Sequence, residues 1–177
     1  MIQTIDGYTF NFPNALALFK FDEQDQAEPR FHGAPMKAVD VIAEFADKYL
    51  FIEIKDFHDK ERYNAIVGGL SNEDKLARKD SLKYLKNSLK YKLRDTYLYR
   101  SLENKTDKPI HYICLLNFDD ALNLHLKQTL SHDLPIGIPK RIPTGRWQRE
   151  IAHSFNVLNM AKWNNVFPTS PLTIATS

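Results

Sequence analysis

From Val39 to Phe57 the chain reads VDVIAEFADKYLFIEIKDF, two apolar runs that alternate in strand fashion around a short polar break. On the first run Asp40, Ile42 and Glu44 share one side, opposite Val39, Val41, Ala43 and Phe45. On the second, Phe51, Glu53 and Lys55 oppose Leu50, Ile52 and Ile54. A two-residue turn at Asp47-Lys48 would set Asp40 across from Lys55 and Ile42 across from Glu53, with Glu53 diagonal to Asp40. That register gathers Asp40, Glu53 and Lys55 on one side of a sheet.

The remaining pattern predicts alternating helices and strands. IQTIDGYTFNF, with an Asp-Gly step between short alternating segments, predicts a small hairpin or a single strand. FPNALALFKFDEQ predicts a short helix with Pro13 near its first turn and Ala15, Leu16 and Phe19 as apolar positions. QDQAEPRFHGAP is a loop, and HDKERYNAIVGGLSNED is a second loop in which YNAIVGG is the best candidate for a further strand. From about Asn72 to Glu103 the spacing of Leu82, Leu85, Leu89, Leu93, Thr96 and Tyr97 predicts the clearest helix, with Ser71 and Asp74 as its capping signal. Ile110 to Phe118 predicts a strand buried on both faces, and Asp119 to His132 a helix with Leu122, Leu126 and Leu130 on one side. After the loop LPIGIPKRIPTG, a helix is expected from Arg146 to Phe155, then a strand at VLNM and a helical turn at AKWNNVF.

Composition narrows the class without choosing a function. The chain has 177 residues, 43% hydrophobic and 26% charged, enough for one domain with a real core. Its formal charge of +2 announces no nucleic-acid binder, so such a reading must rest on where basic residues sit. The lone Cys114, in the apolar run YICLL, reads as a buried structural thiol. No leader pattern and no bilayer-length apolar run are visible, so a soluble cytoplasmic protein without a membrane partner is expected. The histidines show no metal-ligand spacing, and no glycine-rich phosphate loop, nucleophile elbow or paired-cysteine zinc pattern is present.

The charges inside the apolar hairpin admit two explanations. A half-exposed hairpin could carry them as solvated cross-strand ion pairs. Alternatively, a carboxylate pair on a covered sheet is costly unless a cation neutralises it, and hard divalent ions accept one or two carboxylates plus water and phosphate. The strongly apolar flanks, with a long helix and a buried strand to follow, favour the second.

Asp40, followed at a distance by Glu53-Ile54-Lys55, each on an apolar strand of a hairpin, resembles the PD-(D/E)XK nuclease superfamily over roughly Pro13 to His132. The family's order is helix, three-stranded meander, helix and strand. The resemblance implies an α/β fold with a mixed central sheet flanked by helices, a single domain spanning 1–177 with its core at about 13–132 and a C-terminal helical extension at 133–177. It also implies Mg²⁺-dependent cleavage of nucleic acid, DNA rather than RNA, with Mn²⁺ as a substitute. Asp40, Glu53 and the Ile54 carbonyl would hold metal, Lys55 would assist the attacking water, and Glu23, ahead of Asp22 and Glu28, would be the further acidic residue. Val39 stands where the family pattern has proline. Nucleases of this type act as dimers or within larger complexes, and the alternative is an inactive nuclease-fold protein that binds nucleic acid or protein.

Two basic groups are candidate phosphate contacts. On the long helix Lys79, Lys83, Lys86, Lys90 and Arg94 recur at spacings of three and four, with Lys92 and Arg100 elsewhere on it. In PKRIPTGRWQRE, Lys140, Arg141, Arg146 and Arg149 surround Trp147, suiting phosphate contact and base stacking. Both groups also fit ordinary solvated or packing roles, since Glu73, Asp74, Asp80 and Asp95 dilute the helical stripe.

Overall fold

The structure, a computed structural model, describes residues 1–31, 36–55, 72–117, 120–134, 136–137 and 149–175. It is a mixed α/β protein. Five strands form the larger sheet in sequential order: β3 (Ala17–Lys20), β4 (Val41–Glu44), β5 (Tyr49–Lys55), β6 (Ile110–Leu116) and β7 (Ser154–Leu158). The first three run antiparallel, while β5, β6 and β7 run parallel. Parallel neighbours need crossovers, which α1 (Asn72–Leu102) and α2 (Asp120–Asp133) supply. A smaller sheet joins β1 (Ile2–Ile5), β2 (Tyr8–Asn11) and β8 (Leu172–Ile174), and α3 (Met160–Val166) lies between β7 and β8 in the chain. The Asp-Gly step closes the β1–β2 hairpin with positive φ at both Asp6 (48°) and Gly7 (81°), the twist that suits a two-residue turn.

Strand alternation divides the core between the two faces of the large sheet. Ile42, Phe51, Tyr112 and Cys114 pack with Leu85, Leu89 and Leu93 of α1 and Leu126 and Leu130 of α2. Val41, Ala43, Ile52, Ile113 and Leu115 pack on the other face with Phe10, Phe12 and Trp163. β6 is thus buried on both sides, as its unbroken apolar run predicts.

Three expectations are corrected here. FPNALALFKFDEQ does not form a helix: Ala17–Lys20 is the edge strand β3, pairing antiparallel with β4. Leu18 and Phe19 are both buried, in opposite core clusters, which a strand achieves with adjacent residues, whereas Leu16 is 64% exposed. The expected helix from Arg146 to Phe155 fails where it can be followed, since residues 149–153 are non-helical and Ser154 and Phe155 open β7. There Phe155 and Val157 face one core cluster and Leu158 the other. The β4–β5 turn is also displaced. Phe45 N–H donates to the Lys48 carbonyl at 2.9 Å, so Ala46 and Asp47 form its tip and Ile42 pairs with Phe51. Carried one residue further, that register sets Asp40 beside Glu53 rather than Lys55; the displacement preserves which residues share a face.

The expected helical C-terminal extension is also corrected: among its described residues two strands, β7 and β8, flank the seven-residue α3. β7 extends the large sheet and β8 pairs with β2, an outcome its Pro-rich sequence did not announce. The YNAIVGG candidate strand and Ser71 lie outside the described residues.

Candidate functional site

Asp40 immediately precedes β4, and its carbonyl accepts from Phe21 N–H at 2.8 Å, extending the β3–β4 ladder. Its side chain is turned inward, with Oδ2 accepting from the Ile54 backbone N–H at 2.5 Å and Oδ1 lying 2.9 Å from Lys92 Nζ. Glu53, in β5, is fully buried. Its Oε2 lies 2.8 Å from the same Lys92 nitrogen and its Oε1 lies 2.7 Å from Lys55 Nζ. Two buried carboxylates therefore converge on one ammonium, with a second at the more open side, where the Lys55 side chain is 31% exposed.

The contacts of Glu53 are ionic rather than well-formed hydrogen bonds. Both its oxygens are buried without a hydrogen-bond partner among the described residues, despite ion-pair distances to two lysines. Burial, then the charge of Asp40, pushes its carboxyl up to about 7, against the opposing pull of Lys92 and Lys55. Burial disfavours charge on Lys92, but Glu53 and Asp40 outweigh it and raise the Lys92 pKa. A third carboxyl stands alongside. Asp22 is raised to about 7 by burial, by the charge of Asp40 and by a hydrogen bond with it, and its Oδ1 is buried without a hydrogen-bond partner among the described residues.

The long helix builds this site as much as the hairpin does. Leu85, Leu89, Lys92, Thr96 and Arg100 recur at spacings of three and four and all lie on the sheet-facing side, with Lys92 13% exposed at the side chain. Thr96 Oγ1 accepts from the buried Val39 N–H at 3.0 Å, and Asp95 Oδ2 accepts from Lys37 N–H at 3.1 Å. These bonds pin the segment that delivers Asp40. Two turns further along α1, Arg100 is buried and pairs with both Glu44 and Glu103. Burial opposes charge on Glu44, yet Lys105 and Arg100 lower its pKa below the usual carboxylate value.

Asp40, Glu53 and Lys55 are thus brought together as the hairpin pattern required. Glu23 is not part of the group. It caps its own loop, Oε1 accepting from the backbone N–H of Gln24 at 2.8 Å and of Asp25 at 3.0 Å. Asp22, one residue earlier, is the acid of this segment that lies against Asp40. Ile54 contributes its N–H to Asp40 while its side chain packs on the opposite face. Lys92 and Arg100, set apart from the basic stripe in the sequence, are the helical cations that reach the sheet. Lys83 is exposed, Lys86 and Lys90 are half-exposed, and Arg94 pairs with neighbouring Asp95; none of them pairs with a site carboxylate among the described contacts. Arg141, Arg146, Lys140 and Trp147 lie outside the described residues. Cys114 is a buried free thiol whose pKa burial raises.

Among the described residues no group of three or more His, Cys, Asp or Glu is arranged as a ready metal cage, and no helix is long and apolar enough to cross a membrane. The donor set nevertheless suits a hard cation: Asp40 and Glu53 each present an oxygen to a single positive centre, and Mg²⁺ commonly takes one or two carboxylates, completing its shell with water and phosphate. Compared with known proteins, the chain matches no family model, no curated protein and no solved structure.

Proposed function

We propose that the protein is a divalent-metal-dependent nuclease of PD-(D/E)XK type, acting on DNA, with Asp40 and Glu53 as the metal-holding pair. The observation that carries the reading is the approach of Asp40 Oδ1 and Glu53 Oε2 to one nitrogen, at 2.9 and 2.8 Å. The order of elements supports it: the meander β3–β4–β5 carries Asp40 before its second strand and Glu53-Ile54-Lys55 on its third, followed by a helix and a strand parallel to the third. The helix expected ahead of the meander is absent among the described residues.

In this reading Asp40 and Glu53 would hold Mg²⁺, which when bound would supply positive charge at the scissile phosphate and favour ionisation of the attacking water. Asp40 is oriented for its task by the Ile54 N–H, and the partly exposed Lys55 ammonium stabilises negative charge on the phosphate and orients the water. Asp22, raised to about 7, is the third carboxyl and holds or releases a proton near neutrality. Lys92 keeps the carboxylates from repelling one another and must yield part of its position to a divalent ion.

The position of Lys92 also favours a second reading, in which its ammonium permanently replaces metal and the fold serves binding alone. Cleavage of plasmid and single-stranded DNA in Mg²⁺ or Mn²⁺, together with the metal-induced change in Tm, separates the two. A nuclease cleaves in metal, stops with chelator, loses both cleavage and the Tm increase in Asp40→Asn, and loses cleavage while keeping the Tm increase in Lys55→Ala. No Tm change and no cleavage in either metal would overturn the nuclease reading.

A further inference from the structure

Beside the carboxylate site, on the same face of the large sheet, is a cavity of about 240 Å³ walled by Phe19 and Phe21 of the β3 edge, by Phe31 and by Tyr99 of α1. Phe21 and Tyr99 meet edge to face at 5.6 Å, and the Arg30 guanidinium covers the Phe19 ring at 4.2 Å from its centroid. Arg100 lines the inner wall, 5.8 Å from the Phe19 centroid, with Glu103 beside it. The volume is below the range of about 300–1,000 Å³ usual for drug-sized ligands, so it suits one small ring system.

The polar groups specify that ring further. Arg100 Nε is buried with no acceptor among the described residues, although the rest of its guanidinium pairs with Glu44 and Glu103. Those partners already balance its charge, so the inner wall favours a neutral ring over a free anion. The Glu103 side chain, 41% exposed, adds an acceptor at the rim. Aromatic faces with an arginine plane over them are a means by which unstacked bases are held.

The cavity is directly coupled to the carboxylate site. Phe21 N–H bonds to the Asp40 carbonyl at 2.8 Å, Asp22 follows Phe21, and Arg100 stands two turns from Lys92 on α1, about 12 Å along the helix.

We propose that this cavity receives an unpaired nucleobase of the strand whose phosphate meets Asp40 and Glu53, making single-stranded or locally unpaired nucleic acid the preferred substrate. The proposal rests on the nuclease reading of the neighbouring carboxylates, but its test does not require cleavage. Fluorescence anisotropy in chelator compares a short labelled strand of deoxyadenylate with an abasic sugar–phosphate strand of equal length. The full-length protein binds the base-bearing strand about tenfold more tightly, the scale of one base stacked on aromatic and arginine surfaces. Phe31→Ala, on the loop and outside the buried ion pairs, abolishes that preference and leaves affinity for the abasic strand unchanged, whereas Arg30→Ala, which also removes a positive charge, weakens both strands but the base-bearing one more. Equal affinity for the two strands, equal weakening of both in the variants, or no binding to the base-bearing strand overturns the proposal. Base preference without metal-dependent cleavage would keep the cavity's role and sink the nuclease, whereas cleavage without base preference would do the reverse.

Discussion

Glu53 shows how much one side chain can decide. Fully buried beside Asp40, it is raised to about 7 from an ordinary value of 4.5. A carboxyl that binds its proton more tightly when folded contributes stability that is complete below the ordinary value and lost as pH rises through the raised one. Between pH 4.5 and about 7 the wild type therefore loses stability, by about 3 kcal/mol from this group. Asp22, raised from 3.8 to about 7, adds a loss of the same sign. Urea titrations across this range in chelator should show a steeper decline for wild type than for Glu53→Gln. Lys92 is the counterpart. Lys92→Met leaves two buried carboxylates without their shared ammonium and should cost about 3–5 kcal/mol above neutrality. The deficit should shrink toward pH 5, where Glu53 takes up a proton; a deficit independent of pH would show that Lys92 acts through packing of its stem.

At the scale of elements, α1 is both wall and instrument. Leu85, Leu89 and Leu93 bury one stripe against the sheet, and the same stripe delivers Lys92, Thr96 and Arg100. Thr96 is fully buried and accepts from Val39 N–H next to Asp40. Thr96→Val preserves shape while leaving a buried donor unpaired, and should cost about 1–3 kcal/mol in urea unfolding. Because that bond locates Asp40, the variant should also weaken the rise in Tm that the proposed Mg²⁺ site would give. Thr96→Ser, which keeps the hydroxyl, should restore most of the rise. The helix stripe is legible from its leucines, and Lys92 stands at a spacing of three from Leu89, on the same stripe. A cation on the apolar face of a helix is itself the signal, since its burial requires a partner.

For the whole molecule, the sheet separates chemistry from support. The site lies on the side covered by α1, while Trp163, fully buried with Phe10 and Phe12, packs on the other. The Trp163 indole N–H donates to the Ser170 carbonyl at 2.9 Å, tying α3 to the approach of β8. Trp163→Ala should therefore lower stability by about 3–5 kcal/mol. It should leave the difference in pH slope between wild type and the Glu53→Gln change intact, as measured by the same urea titrations in the Trp163→Ala background. Loss of that difference would mean that the two faces are not independent.

Local pattern by itself determined the long helix, the two-sided burial of β6 and, given a two-residue turn, the sharing of one face by Asp40, Glu53 and Lys55, while leaving the first eleven residues open between a hairpin and a single strand. These follow from side-chain alternation and helical repeat, which neighbours in the chain impose on each other. Shifting the turn from Asp47-Lys48 to Ala46-Asp47 moved the register without changing that face, because the turn still had two residues. Tertiary structure alone decided that FPNALALFKF holds a strand, that Phe155 belongs to β7, and that β8 closes the small sheet. In short segments of mixed apolar residues neither repeat dominates, so the available partner chooses the conformation. It also decided that Asp22 rather than Glu23 lies against Asp40 and that Lys92 meets Asp40 across a separation of 52 residues. Charge compensation depends on distance in space, which sequence spacing does not encode.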